Sequence, residues 1–222
     1  MIHQNRRKEL LSKLDKNAVV IVSTNSEQKR NSDVNYPFRP DSSFWYLTGF
    51  IEPDAIAVFS KNDYSIFLKP KDKTKEIWNG KRLGVELAPK ALLANQAYDI
   101  DTFLDEIKSL VDKDSSVHFD APTTGGWKDI SSTNILNESI SSIFKNKMKP
   151  LNPYLSEMRL IKDPSEIKNM QAAANLASKA HIKAMLKTKP GLYEHHISAE
   201  FDSEFRNGNS IGFWSENGKS FI

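Results

Sequence analysis

Residues 32–54 read SDVNYPFRPDSSFWYLTGFIEPD. The aromatic side chains of this block are Tyr36, Phe38, Phe44, Trp45, Tyr46 and Phe50. Aromatic rings carry a large apolar area, so a cluster of this size is expected to be buried. Pro37, Pro40 and Pro53 each fix φ and lack an N–H donor, which excludes one continuous helix through the block. We therefore predict extended segments and turns, with the FWYL stretch as a strand.

The composition is that of an ordinary globular protein, with 39% hydrophobic and 27% charged residues among 222 and a net charge of +3. Cysteine is absent, which excludes disulfides and thiolate ligands and suits a cytoplasmic protein. The amino terminus lacks the apolar core of a secretory signal, and the aliphatic run at residues 18–22 is too short to cross a membrane. The basic run at residues 69–75 is interrupted by Asp72, so we interpret it as a solvated loop and predict no nucleic-acid partner.

The first part of the chain has the alternation of strands and helices that is typical of an α/β protein. The strand candidates are residues 18–23, 55–59, 64–68 and 117–119. The helix candidates are residues 6–14, 85–93 and 100–111, the last with Asp101 as its cap. The segment SKND at residues 60–63 predicts a hairpin between two of the strands. Residues 130–147 could form a helix or a coil, and Gly125-Gly126 is expected to break the chain before them.

The pattern changes after Pro150 and Pro153. Asp163 followed by Pro164 and Glu166 predicts a capping box, and the long helix after it should end at Pro190-Gly191. A second helix is predicted over residues 193–207. We therefore divide the chain into an α/β domain, residues 1–153, and a linker with a helical hairpin, residues 154–222.

Several polar residues are candidates for chemistry, but each also has an ordinary structural interpretation. His196 and Glu200 lie four apart and could face one metal ion, yet no third ligand follows at a useful spacing, so a solvated helix face is the simpler interpretation. The same applies to His195 and Glu204. His181 and His118 are expected to be packed or hydrogen-bonded.

The acids around the aromatic block are Asp33, Asp41, Glu52 and Asp54. Acidic residues next to prolines usually cap turns, and we favour that role over catalysis. The residues alone therefore predict no active site.

The aromatic block closely resembles the amino-terminal domain of aminopeptidase P, the Xaa-Pro aminopeptidases. The matching residues are Ser32, Tyr36, Pro37, Phe38, Arg39, Ser43, Phe44, Trp45, Tyr46, Thr48, Gly49, Phe50, Glu52 and Pro53. Further matching blocks follow in the family's order. They are Arg6-Arg7, EIWNGKRLG at residues 76–84, MRLIK at 158–162 with Pro164, Glu166 and Ile167, and KPG at 189–191 with Glu194 and His195. A creatinase or prolidase identity is the weaker alternative.

The resemblance implies a fold and an activity. The fold would be an α/β amino-terminal domain with a mixed sheet and flanking helices, as in creatinase, followed by the first helices of a "pita-bread" domain. The complete enzyme would bind two Mn²⁺ ions and release the amino-terminal residue that precedes proline, with a metal-bound hydroxide as the nucleophile. Its partners would be peptides with proline at the second position, in a dimer or tetramer.

The chain departs from the family pattern after Ser210, where it reads IGFWSENGKSFI. The family's metal ligands would lie beyond this point, so we expect a truncated catalytic domain with no metal or catalytic residue in this chain, from a frameshift, a premature stop or a split gene. The chain alone would then be inactive, and its last helices would expose apolar surface. A non-catalytic interaction module left from a truncated gene is the alternative function.

Trp78 is the residue for which the resemblance implies a functional role. In tetrameric members of the family, the loop that resembles EIWNGKR reaches towards the active-site mouth of a neighbouring subunit. A tryptophan packed on its own domain is the alternative.

Overall fold

The computed structural model describes residues 2–120 and 132–208, with side chains omitted for 132–136. The expected break at Gly125-Gly126 and the divergent carboxy-terminal stretch lie outside these residues. The chain divides into two compact units, residues 1–158 and 159–222. We describe each by itself.

The first unit is built on a mixed sheet. Its strands are β1 (Ala18–Ser23), β4 (Ile56–Phe59), β5 (Tyr64–Leu68), β6 (Gln96–Asp99), β7 (Ser116–His118) and β8 (Met148–Lys149), in the order β6-β5-β4-β1-β7-β8. β4 runs antiparallel to β1 and β5, whereas the pairs β5/β6, β1/β7 and β7/β8 are parallel. A separate small hairpin joins β2 (Lys29–Asn31) to β3 (Val34–Asn35).

The helices of this unit are α1 (Ile2–Ser12), α2 (Ser42–Thr48), α3 (Lys73–Asn79), α4 (Gly84–Leu92), α5 (Phe103–Leu110), α6 (Ser132–Ile143) and α7 (Asn152–Leu160). All of them except α3, which buries no side chain, pack on one of the two faces of the sheet. All six residues of β1 are buried, as expected for a central strand, and its side chains alternate between two cores. Val20 and Val22 pack with α1, α2 and α7, whereas Val19 and Ile21 pack with α5 and α6.

The FWYL stretch forms helix α2, so the predicted strand is wrong. Asp41 caps the helix, since its Oδ1 accepts the N–H groups of Ser43 and Phe44, both at 2.8 Å. Gly49 ends it in the left-handed region at φ 71° and donates its N–H to the Trp45 carbonyl. One short helix therefore fits between the prolines, and its tertiary contacts override the strand propensity of the aromatic residues.

Basic side chains of α1 close the carboxyl end of α2. His3 Nδ1 and Arg6 Nη1 lie 3.0 and 3.4 Å from the Tyr46 carbonyl, and Arg7 Nη1 donates to the Leu47 carbonyl at 2.7 Å. Both guanidinium groups are buried and lie over tyrosine rings, Arg6 over Tyr46 and Arg7 over Tyr64. The last carbonyls of a helix have no intrahelical donor, so these cations supply it.

Three local predictions need correction or completion. Asp99, and not Asp101, caps the next segment, which begins as a 3-10 helix at Ile100–Thr102 because the Asp99 side chain accepts the Asp101 N–H. The ambiguous stretch at residues 130–147 contains α6. The basic run is not wholly a loop, because Asp72 caps helix α3 and Lys73 and Lys75 lie within that helix.

The second unit contains α8 (Pro164–Lys187) and α9 (Glu194–Asn207). The predicted capping box is confirmed, since Asp163 accepts the Glu166 N–H and the Glu166 side chain accepts the Asp163 N–H. Leu176 and Ala180 are buried, whereas large apolar side chains along α8 are exposed. The exposed ones are Ile167, Met170, Ile182, Met185 and Leu186. The expected exposed apolar surface is therefore present on α8.

Candidate functional site

Helix α3 presents apolar side chains to solvent. None of its residues is buried, and the side chains of Ile77 and Trp78 are 78% and 85% exposed. The alternative that Trp78 packs on its own domain is therefore wrong. Two large apolar side chains exposed side by side make this helix a candidate interaction surface. We call residues 72–82 the Trp78 arm.

Both ends of α3 are closed by local hydrogen bonds. Asp72 Oδ1 accepts the N–H groups of Thr74 and Lys75 at 3.0 and 3.1 Å, and Gly80 donates to the Glu76 carbonyl at 3.1 Å. Gly80 has φ 81°, a conformation that favours glycine. The helix is therefore specified by its own sequence, although it buries no side chain.

Two carboxylates outside the Trp78 arm fasten its end to the rest of the unit, and a third, Glu76, lies within the arm itself. Arg82 Nη2 donates to Glu27 Oε1 at 3.2 Å, and the Arg82 N–H donates to Glu76 Oε1 at 3.0 Å. The neighbouring Leu83 N–H donates to Glu52 Oε1 at 2.7 Å. Since Glu52 belongs to the aromatic block and Glu27 precedes the β2–β3 hairpin, the arm is tied to two distant parts of the sequence.

Burial raises the pKa of Glu52, and the Leu83 N–H and the Arg82 guanidinium oppose this effect. Because the Glu52 carboxylate accepts the Leu83 N–H, it holds the backbone at Leu83 in position. The sequence alone predicts a turn cap for Glu52 and no role for Glu27, because the partners of both residues are distant in sequence.

The remaining acids of the aromatic block are structural. Asp41 caps α2, and Asp54 binds the Ser26 hydroxyl and the Lys69 ammonium. Asp33 lies exposed in the turn between β2 and β3. These positions confirm the interpretation that Asp41 is a cap and give no indication of a catalytic carboxylate pair.

A cavity of about 760 Å³ lies at the carboxyl ends of the parallel strands β1, β7 and β8. Its polar lining includes Asp41 and Asp120. Asp120 Oδ1 accepts the Leu151 N–H at 3.1 Å, in the turn before α7. Carboxyl ends of parallel strands are a common place for ligands, but these carboxylates are used to hold α2 and that turn in place.

The histidine and glutamate candidates of α9 also have structural partners. His196 Nδ1 accepts the Tyr193 N–H at 3.1 Å, and His195 stacks on the Tyr193 ring. Glu200 lies 3.6 Å from Lys183 and 3.4 Å from Lys187 of α8, and Glu204 lies 3.4 Å from Lys183. The interpretation of this face as an ordinary helix surface with ion pairs is therefore favoured.

Two further histidines, His118 and His181, are packed against aromatic rings. His181 contacts the Phe201 ring edge to face, and His118 of β7 contacts the Tyr154 ring in the same way. His118 is 1% exposed, and burial lowers its pKa. These contacts agree with the prediction that both histidines are packed or hydrogen-bonded.

Across residues 2–120 and 132–208, no three histidine or acidic side chains come together in a group that could hold a metal ion. The two-metal centre that the resemblance implies therefore does not fit the described residues, and we derive no catalytic step through it. Along the same residues, no helix has the length and apolar character needed to cross a bilayer.

Comparison with known proteins identifies the family. The family model for the amino-terminal domain of aminopeptidase P matches residues 3–118. The Xaa-Pro aminopeptidase of Haemophilus influenzae is 38% identical over 206 residues, which cover 91% of this chain and 46% of that protein.

Solved structures agree with this family assignment. Proline aminopeptidase P II from Yersinia pestis has a TM-score of 0.81 and 30% identity, with 93% of this chain and 50% of that chain covered. Zinc-substituted Escherichia coli aminopeptidase P in complex with product has a TM-score of 0.79 and 30% identity, with 93% and 49% covered. The chain thus spans about half the length of the relatives it matches.

The predicted fold class is confirmed, since the mixed sheet and its flanking helices are shared with these structures. The family model alone covers just over half of the 222 residues. The chain therefore belongs to the aminopeptidase P family and corresponds to the amino-terminal region of its members.

Proposed function

We propose that this chain is the amino-terminal portion of a manganese-dependent Xaa-Pro aminopeptidase, an enzyme that releases the residue preceding proline. The observation that carries the proposal is the 38% sequence identity to the Haemophilus influenzae Xaa-Pro aminopeptidase, which extends over 91% of this chain. Residues 1–153 would form the amino-terminal domain, and residues 154–222 would begin the catalytic domain. The substrates would be peptides with proline at the second position, and the absence of cysteine suits a cytoplasmic enzyme.

Catalysis would belong to the complete protein, and this chain alone would be inactive. Support comes from the described residues, where no group of histidines and acids could hold two manganese ions. In the family the metals supply the activated hydroxide. This chain would supply the amino-terminal fold and the contacts for assembly, and it would affect how the substrate reaches the active site.

The Trp78 arm would reach the active-site mouth of a neighbouring subunit in an oligomer. The exposure of Trp78 and Ile77 supports this role, and so does the attachment of the end of the arm to Glu27 and Glu52. An exposed tryptophan on a fixed support can contact a partner without first being ordered, which lowers the entropic cost of binding.

A non-catalytic oligomerisation or interaction module is the alternative. The exposed apolar side chains of α8 favour it, because such a surface can bind another polypeptide. Activity measurements separate the two functions.

The first test measures release of the amino-terminal residue from an Ala-Pro peptide by mass spectrometry, with Mn²⁺ added. We expect no release by the purified chain and full activity of the complete Haemophilus influenzae enzyme in the same buffer. Release by the chain alone, at a rate that follows its concentration, would overturn the proposed inactivity.

The second test fuses residues 1–208 to the remaining part of the Haemophilus influenzae enzyme. We expect an active oligomer in which Trp78→Ala lowers kcat/KM for long peptides more than for dipeptides. A fusion that binds manganese and assembles but hydrolyses no Xaa-Pro peptide would favour the interaction module.

A further inference from the structure

One side chain of helix α3 is turned towards the rest of the unit. Glu76 is half-buried, whereas the other six residues of the helix are exposed. Its Oε1 accepts the Arg82 N–H at 3.0 Å. Each residue of a helix is rotated by about 100° from the one before, so Trp78 points roughly 200° away from Glu76. The contact of Glu76 therefore sets the rotation of α3 about its axis and turns the indole outwards.

Glu27 joins this contact to the β2–β3 hairpin. Its Oε1 accepts a hydrogen bond from Arg82 Nη2 at 3.2 Å, and its Oε2 accepts one from Asn35 Nδ2 of β3 at 3.4 Å. The side chains of Arg82 and Glu27 are 20% and 31% exposed, so both lie mostly against protein. A continuous series of hydrogen bonds thus runs from the hairpin through Glu27 and Arg82 to Glu76.

Burial anchors neither of the two elements that Glu27 joins. Helix α3 buries no side chain, and residues 28–37, which contain the hairpin, are all exposed. A two-stranded hairpin and a helix of two turns are each marginal in water without packing. Polar contacts must therefore hold them, and the Glu27 carboxylate is shared by both.

Arg82 has another carboxylate near it besides Glu27 and Glu76. Burial raises the pKa of Glu52, and the Arg82 guanidinium opposes this rise, so the two charges are close enough to interact. Without Glu27, the guanidinium would turn towards Glu52 or Glu76 and draw the end of the arm with it. Glu27 therefore selects one orientation of Arg82 among those that its surroundings allow.

We propose that Glu27 is a positioning residue for Trp78, which holds α3 in the rotation that presents the indole to a neighbouring subunit. Glu27 acts through Arg82 and Glu76 and does not itself contact the substrate. The inference rests on the proposed function for the role of Trp78, and it extends that function by naming the residue that keeps the arm in place.

The first measurement is made on the purified chain, so it does not depend on catalysis. Hydrogen exchange followed by mass spectrometry compares the wild-type chain with Glu27→Ala. An exposed ion pair contributes up to about fivefold to an equilibrium, so exchange within α3 should become faster by up to about fivefold. Exchange within the buried strand β1 should stay the same.

Two further variants identify the pair as the cause. Glu9 forms an exposed ion pair with Lys13 on α1, at 3.5 Å, so Glu9→Ala removes a similar pair outside the arm and should leave exchange in α3 unchanged. Arg82→Ala should accelerate exchange in α3 about as much as Glu27→Ala. The double variant should be little faster than either single variant, because both changes remove the same interaction.

The second measurement uses the fusion of residues 1–208 to the remaining part of the Haemophilus influenzae enzyme. Glu27→Ala should raise KM for a long Xaa-Pro peptide about two- to fivefold and change kcat less, since the pair is partly exposed. In a fusion that already carries Trp78→Ala, the same change should have no further effect on KM. A general loss of structure would instead lower activity in both backgrounds.

Three results would overturn the inference. They are unchanged exchange in α3 of Glu27→Ala, an equal acceleration in Glu9→Ala, and an equal rise in KM with and without Trp78. An inactive fusion together with faster exchange confined to α3 would reject the proposed function and leave the positioning of the arm by Glu27 standing. The two failures are therefore distinguishable.

Discussion

Helices α2 and α3 have the same local design and opposite surroundings. Each contains seven residues, follows a capping aspartate, ends at a glycine with positive φ and carries a tryptophan. Four residues of α2 are buried, whereas α3 buries none. Local sequence therefore determines that both helices form, and only the rest of the fold determines that one is buried in the core and the other stays exposed.

The largest expected difference concerns the apolar side chains. Phe44 of α2 is fully buried, so Phe44→Ala should lower the free energy of unfolding by about 3–5 kcal/mol. Ile77→Ala in α3 should change it by less than about 0.5 kcal/mol, because the side chain is already in solvent. Urea denaturation of both variants is the measurement, and equal destabilisation would contradict the comparison.

The glycines that end the two helices provide a smaller contrast. A Cβ at position 49 would lie 2.6 Å from the His3 ring, whereas nothing lies within 4 Å of a Cβ at position 80. Gly49→Ala should therefore cost roughly 2 kcal/mol from positive φ and overlap together.

Gly80→Ala is also strained at φ 81°, but α3 buries no residue and can relax at its end. We expect a change in global stability below about 0.5 kcal/mol. Hydrogen exchange should instead become faster within α3 alone. Faster exchange throughout the sheet would show that the arm supports the core.

The last contrast is a pH dependence that His3 of α1 introduces at the carboxyl end of α2. Burial lowers the pKa of His3 below 6.5, partly opposed by the Tyr46 carbonyl, and Arg6 and Arg7 lower it further. The folded state therefore favours the neutral ring. Its contribution is fully present above pH 6.5 and is lost as the pH falls through the folded-state pKa. For this partly exposed group the loss should stay below about 1 kcal/mol.

The experiment measures the free energy of unfolding at pH 7.5 and at pH 5 for the wild-type chain and for His3→Gln. The glutamine amide keeps a hydrogen-bond donor at this position. The variant should lose less stability between the two pH values. An identical pH response of wild type and variant would exclude the role of His3.

Helix α3 has no histidine at its end. There, the N–H groups of Lys75 and Thr74 and the Lys75 ammonium hold the pKa of Asp72 below 3.8, so the contribution of Asp72 is lost only at lower pH.

The parts of the fold that could be predicted from sequence are those with local causes. The β4–β5 hairpin follows from two apolar runs around a turn, and the start of α8 follows from a capping box of four residues. The buried strand β1 follows from its β-branched run. Each depends on residues that are neighbours in the chain.

The parts that could not be predicted depend on distant partners. FWYL has strand propensity, and its helix is closed by Arg7, which lies 40 residues away from the Leu47 carbonyl it binds. The arm is fixed by Glu27, 55 residues from Arg82. Trp78 could be selected through resemblance, but its exposure became visible only in three dimensions.

The position of β1 in the sheet has a consequence for the order of folding. Its antiparallel partner β4 lies about 40 residues downstream, whereas its parallel partner β7 pairs Val19 with Val117. At a synthesis rate of 5–20 residues per second, β7 leaves the ribosome roughly 5–20 s after β1. During that interval one edge of this fully buried strand has no native partner, and the nascent chain is then most exposed to wrong strand pairing.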